Sequence, residues 1–94
     1  MRVIGIDRIH EFMLKHTDSQ GWLKAWLAEA RSAEWRGPKD IKARYRTASI
    51  LEGSKVVFNV KGNKYRMEIQ VSYKNKVVVI KRIGTHGEYD RWDT

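Results

Sequence analysis

Towards its C-terminus the chain reads Thr85-His86-Gly87-Glu88-Tyr89-Asp90. An imidazole, a phenol and two carboxylates thus fall in one short stretch. Thr85 followed three residues later by Glu88 is a capping-box pattern, in which hydroxyl and carboxylate satisfy backbone donors at a helix start. The pattern predicts one or two helical turns over 86–92, with His86, Tyr89 and Asp90 at i, i+3 and i+4 on one face. Histidine is suited to general acid or base work near neutral pH. A capped, solvated histidine would have the same local sequence, so the stretch alone leaves both readings open.

The candidate cations lie upstream. Residues 64–73, KYRMEIQVSY, alternate strictly. Tyr65, Met67, Ile69, Val71 and Tyr73 face one side, and Lys64, Arg66, Glu68, Gln70 and Ser72 the other, as in a half-buried antiparallel strand. Arg66 therefore sits mid-strand on a polar face. In the apolar run VVVIKRI at 77–83, alternation sets Lys81 with Val77 and Val79, and Arg82 with Val78 and Ile80. One cation is expected towards each face. A cation ending a buried strand also serves simply by carrying its charge out to water.

The elements that must position these groups are readable from period and punctuation. After the short apolar opening RVIGI, Asp7 is expected to cap a helix that aligns Ile9, Phe12, Met13 and His16. Thr17 and Gln20 have capping-box spacing before a second helix, whose stripe is Trp22, Leu23, Trp26, Leu27 and Ala30. At this spacing a tryptophan stripe reads as core. Gly37-Pro38 stops that helix, and PKDIKARY forms a short third one with Pro38 in its first position. KVVFNV at 55–60 then alternates, and KGN and KNK supply turns. The expectation is an α+β fold in one domain, residues 1–94. N-terminal helices pack on an antiparallel meander, and a helical turn ends the chain.

Composition narrows the function. With no cysteine in 94 residues, disulfides and thiolate metal sites are excluded. The three histidines form no ligand pattern, no Walker or nucleophile-elbow motif occurs, and no cofactor is expected. No run approaches the roughly 20 apolar residues of a membrane span, and a soluble cytoplasmic protein is the default. Residues 36–83 hold 13 Lys or Arg against 3 Asp or Glu, whereas residues 1–35 hold 5 of each. Charge confined to one half of the chain suits nucleic acid, although an acidic protein or a membrane surface would satisfy charge alone.

The segments DIKARY, ASIL, KVVFNVKGNKYRM and IGTHGEYD resemble the HigB-type toxins of bacterial type II toxin–antitoxin systems, a branch of the RelE-like superfamily. The similarity runs from about Trp22 to Asp90. It implies a metal-independent messenger RNA interferase that enters the ribosomal A site, where the RNA's 2′-OH attacks the adjacent phosphate. Carried over to this chain, it implies Arg66 as the sheet-borne cation and His86 or Tyr89 as the C-terminal proton-transfer group, with Lys81 a further catalytic candidate. Base and acid stay unassigned. Lys61, Asn63, Lys64, Lys39 and Lys42 are the expected RNA contacts. The implied partners are messenger RNA, the ribosome and a HigA-type helix-turn-helix antitoxin forming a hetero-oligomer, with operator DNA reached only through that antitoxin and no membrane. The rival reading is a basic module that binds RNA or ribosome without cutting. A DNA-binding regulator fits less well, since no helix in the basic half is long enough for groove recognition.

Overall fold

The alternating half of the chain becomes three adjacent antiparallel strands, to which two short flanking strands are added. The computed structural model describes residues 1–92. In order these are β1 (Arg2–Ile4), α1 (Ile6–Lys15), a 3₁₀ turn (Thr17–Ser19), α2 (Gln20–Ser32), α3 (Pro38–Arg44), β2 (Ser49–Leu51), β3 (Lys55–Val60), β4 (Tyr65–Ser72), β5 (Val77–Thr85) and α4 (His86–Tyr89). The α+β class is as expected. The sheet, however, is mixed: its order is β1-β5-β4-β3-β2, and β1 runs parallel to β5. The apolar opening thus makes an edge strand that shields β5, and β2 extends the meander on the other side.

One face of the sheet carries the core. Ile9, Phe12 and Met13 from α1, Leu23, Trp26 and Ala30 from α2, and Ile41 from α3 meet Val56, Phe58, Met67, Ile69, Val78 and Ile80. Trp26 is 1% exposed and meets Phe58 edge-on at 5.5 Å between centroids. Trp22 and Leu27 pack on the margin. The tryptophan stripe is therefore core, as the helical spacing predicts. The Met1 amino group lies over the end of α2, where it donates hydrogen bonds to the carbonyls of Ala30, Arg31 and Ala33 at 3.0, 3.3 and 2.7 Å. These are carbonyls of the kind a helix end leaves without intrahelical partners.

Two expected caps are replaced. Gly5, not Asp7, occupies the N-cap of α1 with φ 92°, and Asp7 lies in the first turn. The chain must leave β1 sharply there, and a Cβ on Gly5 would come within 3.1 Å of the Ile80 carbonyl oxygen. The Thr17–Gln20 capping box does not form. Residues 17–19 wind into the 3₁₀ turn, and the Gln20 side chain instead donates to the Met13 carbonyl at 3.3 Å.

A third difference bears on the site. Glu68 pairs with Arg82 but Ile69 pairs with Ile80, so Lys81 is an extra residue in β5, a β-bulge. The bulge breaks the alternation that assigned Lys81 and Arg82 to opposite faces. Arg82 lies across from Glu68 and ion-pairs with it at 3.1 Å. Lys81 lines a depression together with Gln70 and Val79. Both cations thus serve the face away from the helices.

Candidate active site

On that second face the cross-strand rows are Asn59–Arg66–Gly84, Val57–Glu68–Arg82 and Lys55–Gln70–Val79. At the Arg66 end the face is not open. Gly84 presents no side chain opposite Arg66, and the chain end folds into the space. A Cβ at Gly84 would lie 3.0 Å from Trp92 Cζ2 and 3.1 Å from Glu88 Cβ.

The fold-back is fixed by the motif that predicted it. Glu88 N–H donates to Thr85 Oγ1 at 3.2 Å, and Thr85 N–H donates to Glu88 Oε1 at 2.9 Å, so both halves of the capping box are present. The Thr85 backbone bond holds the Glu88 carboxyl below its usual range, against a smaller opposing effect of burial. His86 N–H donates to the Lys64 carbonyl at 3.2 Å, which ties α4 to the start of β4.

These constraints bring Arg66, Tyr89, His86 and Asp90 together. Arg66 is only 8% exposed. Its Nη1 donates to the carbonyls of Asn63 and Tyr65, both at 3.1 Å, and its Nη2 donates to Asn63 Oδ1 at 2.7 Å. A guanidinium has five N–H donors in a fork, so three are committed to orientation and Nε and one Nη2 hydrogen are left for an anion. Its charge lies 5.4 Å from the Tyr89 ring centroid, within cation–π range. Tyr89 meets His86 edge-on at 6.5 Å, and His86 Nδ1 stands 3.3 Å from Asp90 Oδ2. The carboxylate can fix the ring's orientation and leave Nε2 to exchange a proton.

Other expected residues fall elsewhere. Lys81 shares no described contact with this cluster. Lys64, placed by alternation beside Arg66, precedes β4 and ion-pairs with Asp18 of the 3₁₀ turn, while Tyr65 Oη donates to the other Asp18 oxygen at 2.6 Å. The Lys64 and Tyr65 bonds hold the Asp18 carboxyl down at about 2. Asn63 is occupied with Arg66. Lys42 donates to the Ala48 carbonyl, and Lys39 and Lys61 are exposed.

Sequence reasoning missed Glu68 and Trp92, and with them the partners of Arg82. Glu68 is 2% exposed, with Arg82 Nε and Nη2 donating to its Oε1 at 3.3 and 3.1 Å. Arg82 in turn stacks on Trp92 at 4.8 Å. The one signal available was a carboxylate in the middle of the alternating strand.

The family model HigB_toxin, described as the RelE-like toxic component of a toxin–antitoxin system, matches residues 19–92. The chain belongs to this family. It is a toxin, and an antitoxin is its implied partner. Comparison with curated proteins returns no match. The matched span contains β4, β5 and α4, hence every residue of the cluster. Among the described residues, no helix is long and apolar enough to cross a membrane.

Proposed function

We propose that the toxin is a ribosome-dependent endoribonuclease that cuts translated messenger RNA, with residues 1–94 acting as one domain. The observation that carries this reading is the oriented, largely buried Arg66 guanidinium set against Tyr89 and the His86–Asp90 pair. In the reaction the 2′-oxygen forms a bond to the adjacent phosphorus and the bond to the leaving 5′-oxygen breaks. One protein group takes the 2′ proton and one supplies a proton to the 5′-oxygen. Arg66 offsets the charge that develops on the phosphoryl oxygens. His86 and Tyr89 carry the proton transfers, with His86 oriented by Asp90.

Binding to ribosome and message draws on the basic half of the chain, with Lys39, Lys42 and Lys61 on its surface. Lys64 contributes its charge from a fixed position beside Asp18. The partner in this reading is a helix-turn-helix antitoxin, and operator DNA is reached only through it.

The test is expression without antitoxin, combined with cleavage of message on purified ribosomes. Arg66→Ala and His86→Ala should relieve growth arrest and lower the cleavage rate. Arg66→Ala should do so by about 10²–10³-fold, as for loss of a charge-stabilising donor, and His86→Ala by about 10²–10⁴-fold, as for loss of a proton-transfer group. Both variants should stay folded and still co-sediment with ribosomes. Wild-type cleavage by both His86→Ala and Tyr89→Phe would make the terminal turn purely structural.

A further inference from the structure

Beyond the Arg66 cluster, the same sheet face continues along β4 and β5 into a groove of about 500 Å³. Its lining includes Gln70, Tyr73, Lys74, Val77, Val79 and Lys81. Val77 and Val79 are half-buried and stand outside the core cluster that holds Val78 and Ile80. They form an apolar floor open to solvent. Lys74 and Lys81 are exposed, and among the described residues no acidic residue lines the groove. A second depression of about 420 Å³ shares Tyr73 and Lys74 with the first and adds Arg36 and Lys76, with Glu34 the one acid among the described residues that line it.

We propose that this groove is a second RNA subsite, which holds nucleotides of the same strand at a distance from the bond to be cut. The inference rests on the nuclease reading for the identity of the strand and on the groove itself for its chemistry. Surfaces that hold single-stranded RNA combine cations that track phosphates with aromatic and apolar faces on which bases lie. Both are present here: Lys74 and Lys81 flank the two valines, and Tyr73, which also packs against the core, lines the same groove. The Gln70 side chain, bonded to the Gly53 carbonyl at 3.1 Å, offers a positioned amide at the edge. A purely acidic peptide would use the lysines but would leave the half-buried valines uncovered.

Continuity also favours RNA. Arg66 and Ser72 bound the polar row of β4, and at roughly 3.4 Å per residue they stand about 20 Å apart, a reach of several nucleotides. Lys81 lies on the face that carries the Arg66 cluster by simple alternation with Val77 and Val79, and the bulge after Ile80 adds Arg82 to that face.

The experiment measures binding of the full chain to fluorescent single-stranded RNAs of mixed sequence, about 12 and about 4 nucleotides long, across a salt series. Lys74→Gln/Lys81→Gln should weaken the longer RNA at least tenfold and change the shorter one little. The salt slope should become shallower by about 1.4, two phosphate contacts at roughly 0.7 each. Tyr73→Phe should bind as the parent does, and Tyr73→Leu should lose fivefold or more. Parental affinity and slope in the lysine pair variant would overturn the subsite, as would equal displacement of the RNA by polyglutamate of similar length. The two readings fail separately. If the parent does not cleave on ribosomes but the groove variants lose RNA, the subsite stands without the nuclease. If the parent cleaves and the groove variants bind as it does, the subsite falls alone.

Discussion

Replacing Gly84 by alanine adds one methyl group between β5 and the folded-back chain end, and should disable the cluster without touching any of its functional groups. The new Cβ would lie 3.0 Å from Trp92 Cζ2 and 3.1 Å from Glu88 Cβ, where carbon atoms rest comfortably at about 3.5–4.0 Å. The deficit is roughly 0.5–1 Å on both contacts. Neither yields alone. The Glu88 Cβ is fixed by the capping box, and the Trp92 ring meets Tyr89 edge-on at 5.4 Å and lies under the Arg82 guanidinium at 4.8 Å. The turn must therefore lift as a unit and carry His86 and Tyr89 away from Arg66. A misplacement of about 1 Å can cost on the order of 10²-fold in rate, while overpacking costs about 1–3 kcal/mol. Gly87→Ala is the control, since its Cβ would meet nothing nearer than Thr85 Oγ1 at 4.0 Å. The assays are message cleavage on ribosomes and exchange of the His86 amide hydrogen that bonds the Lys64 carbonyl. Gly84→Ala should lose roughly 100-fold in cleavage and exchange that hydrogen faster, and Gly87→Ala should do neither. Full activity and unchanged exchange in Gly84→Ala would refute the claim that this close packing aims the site.

In the core, Trp26→Ala should destabilise the fold by about 3–5 kcal/mol in denaturant unfolding, as deletion of a buried aromatic does. Trp26→Phe should cost much less, because the buried indole nitrogen has no hydrogen-bond partner to lose. Asp18 ties Lys64 and Tyr65 to the 3₁₀ turn. Its carboxyl is lowered in the folded state from 3.8 to about 2, so its contribution is complete above pH 4 and disappears as the pH falls towards 2. Asp18→Asn should lower the melting temperature at neutral pH and flatten its decline between pH 4 and 2. An unchanged decline would mean that Asp18 is not paired in solution.

What was legible in the sequence was short-range. Thr85 and Glu88 are three residues apart, and their cap formed as read. The tryptophan spacing of α2 likewise carried through to packing, and the alternation from Tyr65 to Ser72 assigned the faces, although Arg66 and Glu68 on the polar face are buried as well. The misses depend on partners distant in sequence. β2 is three residues long and exists because Ile50 pairs with Val56. Thr17 and Gln20 had the spacing of a cap, yet Gln20 found the Met13 carbonyl instead. The Arg66 cluster was half visible. Its residue types and the shared face of His86 and Tyr89 were in the local pattern. The burial of Arg66 under the chain end was not, because it depends on Gly84 leaving a space that Trp92 fills.

The extra residue in β5 works as a parity switch. Between Ile80, opposite Ile69, and Arg82, opposite Glu68, Lys81 alone lacks a cross-strand partner. If it is passed over, Ile80, Arg82, Ile83 and Gly84 alternate without a fault. A deletion inside a strand ordinarily turns every following side chain to the wrong face. Here, removal of Lys81 would leave the faces unchanged and take away only the added twist and bend of the bulge. Substitution and deletion at this position are therefore different experiments. Lys81→Ala removes a charge, whereas loss of the whole residue re-aims Gly84, the terminal cap and the residues it carries. The direction in which His86 and Tyr89 point is set in part by a residue that belongs to neither the cap nor the cluster.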